Sequence, residues 1–327
     1  MSRILYIGNA GPPNSTENHI AEAFRNIGAE VTQLQEGPEI WAGLPGYRNL
    51  EGVDFVLWTH THGLSPESTH DEAWHALKRL RQSGIPTVAV HLDRWWGLGR
   101  EHQTREPFFG CDYVFTADGG HDEEWSDLGI NHIWLPPAVI TSQTGIGTKR
   151  PEFTSKLAFV GSWQSYGHTE WTHRPELIAH LQRRWGKHCA FWPKPGEHAV
   201  RGKDLQDLYA SVDVLIGDSC LVGGSKLYYS DRIPESLGRG GVLIHPHTEG
   251  LDGKARTTGG VRWEEYAHEI DLRTWPAYDW KRLDELIEHT LDTPAEREFM
   301  RTCALEKTLE FHTYEVRAKM IIGEVLK

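Results

Sequence analysis

The chain has 327 residues, 39% of them hydrophobic and 24% charged, the balance of a folded globular protein. That length exceeds what one hydrophobic core usually serves, so two domains of roughly 150 residues each are expected. With 46 acidic against 34 basic residues the net charge is −12, which disfavours a general nucleic-acid coat or a membrane-surface binder but leaves room for a local basic groove.

In chain order, "RILYIG" (Arg3 to Gly8) reads as a strand with no charged-then-apolar leader before it, and no apolar run approaches the roughly 18 residues that a bilayer span needs. A soluble, cytoplasmic protein is expected. The next run, "STENHIAEAFRNIG", reads as a helix capped near Ser15 or Thr16 and stopped at Gly28. Then follow the strands "AEVTQL" and "VDFVLWTH", a helix over 67–83, and the strands "IPTVAVHLD", "CDYVFTAD" and "NHIWLPPAV". The stretch "PPAVITSQTGIGTKRPEFT" is rich in Pro, Gly, Ser and Thr without periodicity and reads as a linker.

Beyond it the alternation restarts with "SKLAFVGSW", a helix in "PELIAHLQRRWG", and the strands "HCAFWP", "VDVLIGD" and "GVLIHP"; from Asp279 onward the pattern is nearly all helical. The expectation is an α/β protein of two Rossmann-like domains with parallel sheets, one over 1–140 and one over 156–305, with a linker over 141–155 and a final helix over 306–327 that packs back on the first domain. Fourteen tryptophans are many for this length, and some of their rings are expected to line a cleft.

Cys111, Cys189, Cys220 and Cys303 show no paired spacing, which indicates neither a zinc knuckle nor a disulfide framework. The turn "GNAGPPNSTENH" lacks the dinucleotide fingerprint, and no "GxxxxGK[ST]" sequence is present. His60 with His62, and His245 with His247, alternate as metal ligands on a strand do, yet spacing supplies no third ligand and "HExxH" is absent. No bound metal and no resident cofactor are expected.

Ligands of doubly wound sheets collect at the carboxyl ends of strands. There "FVGSW" places Gly161 and Ser162, small enough for a phosphate or base to approach the backbone, although an ordinary strand-ending turn looks the same. Further on, "SKLYYSDRIPESLGRGG" supplies Lys226, Arg232 and Glu235 and then Gly240 and Gly241. Cations and a helix start suit a diphosphate, a carboxylate suits ribose hydroxyls, and the glycines would let the helix pack closely on the next strand. A surface ion pair on an amphipathic helix is the competing reading.

In the first half, "HLDRWWGLGREHQTREPFF" mixes Arg94, Arg100 and Arg105 with Trp95, Trp96, Phe108 and Phe109. Such a loop suits bases and phosphates, suits a sugar ring equally, or plugs an interface with its aromatics.

The run from Asp231 through Gly241, with Arg232, Glu235, Gly240 and Gly241, and the later His312, Thr313, Tyr314 and Arg317, resembles the carboxyl-terminal half of GT-B glycosyltransferases. The similarity is to the spore-maturation-type group and its phage relatives, and "LAFVGSWQSYGHTEWTHRPELI" looks like the opening of their donor domain. This resemblance implies a nucleotide-diphosphate sugar, UDP-linked, as co-substrate, with 1–140 as the acceptor domain, 156–305 as the nucleotide-sugar domain, and the host cytoplasm as the location if a phage encodes the chain. It also implies His91 and Asp93, in "IPTVAVHLD", near the reaction centre; the basic and aromatic mixture of the loop makes Arg94, Trp95, Trp96 and Arg100 acceptor candidates, with His62 toward the same cleft. Retaining relatives carry two glutamates eight positions apart; here Glu235 matches the second and Leu227 stands in place of the first. Phage relatives that glycosylate hydroxymethylated pyrimidines make DNA one acceptor to consider, beside a polysaccharide, a small molecule, or a non-catalytic binding role.

Overall fold

The apolar runs of the first half pair as parallel strands in the computed structural model of the chain, which describes residues 1–44, 50–59, 70–93, 96–163, 171–220, 227–249 and 272–327. His62, Arg94, Trp95 and Lys226 lie outside the described residues, as does His60. The chain divides into two compact units, unit 1 formed by Met1–Pro136 with Tyr314–Lys327 and unit 2 by Pro137–Thr313.

Unit 1 holds six strands, β1 (Arg3–Gly8), β2 (Glu30–Gln35), β3 (Phe55–Thr59), β4 (Thr87–His91), β5 (Tyr113–Thr116) and β6 (His132–Trp134), in the order β2-β1-β3-β4-β5-β6. Every pairing is parallel. Central β3 and β4 are buried along their whole length, which is why they read as unbroken apolar runs, whereas edge strand β2 alternates with polar residues. Helices α1 (Thr16–Asn26), α2 (Pro38–Gly43), α3 (His70–Gln82) and α4 (Asp122–Asp127) accompany the sheet. Ser15 is the cap of α1, its Oγ accepting from the Asn18 N–H at 3.2 Å, and Gly28 takes a φ of 89° just past the helix end.

Unit 2 carries five parallel strands in the order β11-β10-β9-β7-β8: β7 (Ser155–Val160), β8 (Cys189–Trp192), β9 (Val212–Ile216), β10 (Leu243–Pro246) and β11 (Arg273–Trp275). Its helices are α5 (Arg174–Trp185), α6 (Gly202–Ser211), α7 (Arg232–Leu237), α8 (Trp280–Asp292) and α9 (Pro294–Phe311), while α10 (Tyr314–Val325) belongs to unit 1. The expected tail helices are α8, α9 and α10. No described helix is long and apolar enough to cross a membrane. Trp41, Trp58, Trp125 and Trp275 are fully buried core rings.

The Pro- and Gly-rich stretch after β6 is pinned rather than loose. Val139 pairs with Thr313, Gly145 N–H donates to the Gly238 carbonyl at 2.8 Å, and Thr148 N–H donates to Asp207 Oδ1 at 2.8 Å.

The glycines after α7 are there for packing. A Cβ on Gly238 would sit 2.7 Å from Val139 Cγ1 and 2.8 Å from the Pro234 carbonyl oxygen; one on Gly241 would sit 2.4 Å from Leu215 Cδ1. Gly240, at a φ of 70°, leaves only 2.7 Å to Ile146 Cγ1. Gly238 has an ordinary helical φ of −66°, so replacing it tests contact alone. Gly238→Ala is expected to destabilise the protein by about 1–3 kcal/mol through overpacking, read as a lowered denaturation midpoint.

Candidate functional site

Strand β7 delivers its last residues to the carboxyl edge of the unit 2 sheet and stops at Gly161, whose φ of 150° is one that only glycine adopts without strain. A Cβ there would lie 2.6 Å from Arg232 Nη2, so the missing side chain is what admits the guanidinium. Arg232, the first residue of α7, places its Cζ 5.2 Å from the Phe159 ring centroid. Its Nη1 is buried and has no hydrogen-bond partner among the described residues. Burial, and then the nearby charge of Arg174, depress the Arg232 pKa below the usual guanidinium value.

The neighbouring cation is differently placed. Arg174, 3% exposed, donates from Nε to Asp218 Oδ2 at 2.6 Å and from Nη1 to the Ser162 carbonyl at 3.2 Å. Asp218, two residues past β9 and fully buried, also takes His173 Nδ1 at 3.1 Å. Burial alone would raise the Asp218 pKa, but the His173 hydrogen bond and the Arg174 charge outweigh it and hold the carboxyl below its ordinary value. Together Arg174, Arg232 and Asp218 bring two guanidiniums and one carboxylate to one strand-end region.

Glu235 does not pair with Arg232 as the sequence doublet suggests. Its carboxylate accepts from Arg239 Nη1, four residues on, whose side chain is 1% exposed against 22% for Glu235. Arg239 also donates to the Glu235 carbonyl at 3.0 Å and to Gln143 Oε1 at 2.5 Å. Burial raises the Glu235 pKa, with the Arg239 charge opposing it. A Cβ on Gly240 or Gly241 would meet protein atoms of unit 2, so each has a packing role.

In unit 1, His91 ends β4 at 5% exposure, and its Nδ1 lies 3.3 Å from both the backbone N and the backbone O of Asp93. Asp93 itself is exposed. The His91 ring meets Phe108 edge-on, with centroids 5.9 Å apart. Trp96 packs into the core margin, its ring stacked on His121 at 5.5 Å and edge-on to Trp125 at 5.1 Å, while its backbone N–H donates to Oδ2 of the buried Asp118 at 2.5 Å. Phe108 and Phe109 are core residues at 1% and 4% exposure, and Arg100 precedes the short 3-10 helix Glu101–Arg105.

The residues alone did not single out Arg174, Asp218 or Ser219, although Asp218 ends the run "VDVLIGD", and they offered His245 only as half of a metal-ligand pair with His247. Weighting the residue after each strand equally would have found Asp218. No group of three or more metal-ligating side chains occurs among the described residues, and His245 is buried while His247 is exposed.

No protein-family model matches the chain, and no curated protein sequence matches it. Solved structures do. A UDP-forming α,α-trehalose-phosphate synthase from Burkholderia xenovorans aligns at a TM-score of 0.58 and 10% identity, covering 100% of this chain and 99% of that one. An α,α-trehalose 6-phosphate synthase from Burkholderia multivorans gives 0.58 and 11% over 100% and 96%. A third, a UDP-forming α,α-trehalose-phosphate synthase from Burkholderia vietnamiensis, gives 0.57 and 9% over 99% and 100%. What these share with the chain is the fold, two Rossmann-like domains with parallel sheets in the GT-B class.

One titration follows from the unit 1 stack. His132 lies flat on Trp125 at 4.7 Å, and burial, with the nearby His121, lowers its pKa from 6.5 to about 3. The fold therefore prefers the neutral ring. The stability it supports is complete above the ordinary histidine range and declines as pH falls from about 6.5 toward 3. His132→Phe, which keeps a ring, is expected to flatten the acid side of a stability profile measured by denaturation between those limits.

Proposed function

We propose that the chain is a glycosyltransferase whose unit 2 binds a nucleotide-diphosphate sugar, UDP-linked in the simplest reading. The observation that carries this is Arg232, a cation with a buried, unmet Nη1 set over a glycine at the carboxyl end of β7. A diphosphate supplies the acceptor oxygens and negative charge that such a group lacks, and charge-assisted bonds of this kind are the strong ones. The fold shared with synthases described as UDP-forming supports the same donor.

In the reaction the bond from the sugar's anomeric carbon to the diphosphate oxygen breaks, and a bond to an acceptor oxygen forms. Negative charge grows on the departing diphosphate, where Arg232 is already in place to stabilise it. Lys226 and the Gly161–Ser162 turn complete this side of the proposal. Glu235, fixed by Arg239, accepts the ribose hydroxyls and needs to be ionised to accept from both. Its raised pKa then makes donor binding weaken on acidification at a higher pH than an ordinary glutamate would. His91, held by the Asp93 backbone, receives or directs the acceptor's proton, with the exposed Asp93 carboxylate as the second candidate for that role.

For the acceptor we favour a saccharide or small hydroxyl compound over hydroxymethylated DNA. Phe108 and Phe109, two of the aromatics suited to stacking on bases, are built into the core, and a net charge of −12 opposes a polyanion. Trp96 and Arg100, with His62, Arg94 and Trp95, stay as the acceptor-side proposal. A non-catalytic sugar-nucleotide binder is the second reading. Leu227, at the position of the first glutamate, holds a φ of 42°, which is strained for an apolar side chain.

Arg232→Ala is expected to weaken UDP-glucose binding tenfold or more by calorimetry, with little change in the ligand-free melting temperature. Unchanged affinity would remove the donor site from unit 2. His91→Asn should leave that affinity intact and slow transfer by about 10²–10⁴-fold. Donor that is bound but never consumed across an acceptor panel would favour the non-catalytic reading.

A further inference from the structure

His245 has no role in the scheme above, yet it sits in the same strand-end region. It is the third residue of β10 and is fully buried. Its ring lies against Gly217, just past β9, where a Cβ would come within 2.7 Å of His245 Cδ2. The backbone has been left bare at Gly217, as at Gly161, and each time the polar side chain admitted has an unmet nitrogen.

The state of the imidazole follows from its neighbours. Nδ1 is 2.8 Å from the Pro246 carbonyl oxygen, which can only accept, so the ring hydrogen is on Nδ1. Burial keeps the ring neutral, lowering its pKa from 6.5 to about 4 against the opposing pull of the Pro246 backbone and of the Asp218 charge and backbone. Nε2 therefore presents a lone pair, and it has no partner among the described residues. Ser219 Oγ, two residues beyond Gly217, is buried and unmet as well. The charge of Arg232 acts on the His245 ring, which puts the unmet cation in the same neighbourhood.

A buried acceptor without a donor is destabilising, and so is a buried donor without an acceptor. Here one of each persists at adjoining strand ends without meeting. A molecule that answers both brings anionic oxygens for Arg232 and a hydrogen-bond donor for His245. A phosphate ester bearing free hydroxyls has that make-up.

Resting on the donor reading given above, we infer that His245 is a hydroxyl-reading residue of the unit 2 site, its Nε2 accepting a hydrogen bond from a hydroxyl of the bound nucleotide sugar beside Ser219. The hydroxyl belongs either to the ribose or to the transferred sugar, and a comparison of two probes tells them apart.

Wild-type protein, His245→Phe, His245→Gln and Ser219→Ala are titrated calorimetrically with UDP-glucose and with UDP, after melting curves without ligand. His245→Phe is expected to weaken UDP-glucose about tenfold, and His245→Gln, whose amide restores an acceptor, to recover part of that loss. A loss shared equally by UDP assigns the ribose; a loss confined to UDP-glucose assigns the transferred sugar. Ser219→Ala, which removes only a hydroxyl, is expected to weaken UDP-glucose severalfold without lowering the melting temperature, and it supplies the test if neither His245 variant folds. Wild-type affinity in His245→Phe, or in Ser219→Ala where that variant stands alone, would overturn the inference. Equal losses in Phe and Gln accompanied by equal drops in melting temperature would also overturn it, as packing. Failure of wild-type protein to bind either probe would instead overturn the donor reading itself.

Discussion

Excess positive charge in a place short of water is the constraint around which unit 2 is arranged. Asp218 takes one bond each from Arg174 and His173, and Arg232 lies beside them with a buried nitrogen unmet among the described residues. Isolated buried charge is among the most unfavourable features a fold can carry, and removing one partner of a buried pair typically costs about 3–5 kcal/mol. The local backbone accommodates the arrangement: Gly161 yields room to the guanidinium, and Ser162 turns its carbonyl toward Arg174. Of the described carboxylates, Asp231 and Asp218 act on Arg232 by charge, yet none meets its buried Nη1 with a hydrogen bond.

Packing follows from the same economy of space. Helix α7 carries Arg232 at its start and Glu235 one turn on, and it is followed by three glycines. Those glycines let backbone and small groups of unit 2 approach to distances that no side chain permits, which holds α7 against β10 and the stretch around Val139 and Ile146. Arg239, buried beneath, fixes Glu235 from the protein side and leaves that carboxylate partly open. The helix thus presents one charged residue anchored and another unsatisfied.

Much of this architecture was legible in the residues. Buried parallel strands such as β3 and β4 announce themselves as apolar runs, and α8, α9 and α10 as periodic segments bounded by Asp279, Pro294 and the His312–Thr313 break. Strand β11 was not, because three residues containing an arginine carry no period, and its burial comes from the sheet beside it. At the site, Arg232 and Glu235 stood out by spacing, but their true partners did not. A helix pattern offers the i, i+3 and i, i+4 choices alike, and the selection of Arg239 depends on Gln143, nearly a hundred residues away in sequence. Asp218 was hidden, and His245 visible only as half of a histidine pair, for a related reason. Each is an ordinary residue at a strand end, and what distinguishes it is the company brought by other strands.

The closing helix has a consequence for dissecting the protein. Helix α10 packs on α1, where Asn26 Nδ2 donates to Glu315 Oε1 at 2.8 Å and His19 meets Tyr314 with ring centroids 6.4 Å apart. Arg317, 2% exposed, donates to the Pro136 carbonyl at 2.7 Å. The amino-terminal lobe is therefore not a contiguous gene fragment. An excised piece ending at Pro136 would lack a helix of its own, baring the α1 face and orphaning that carbonyl, whereas fusing 314–327 behind it through a short tether would restore the missing part.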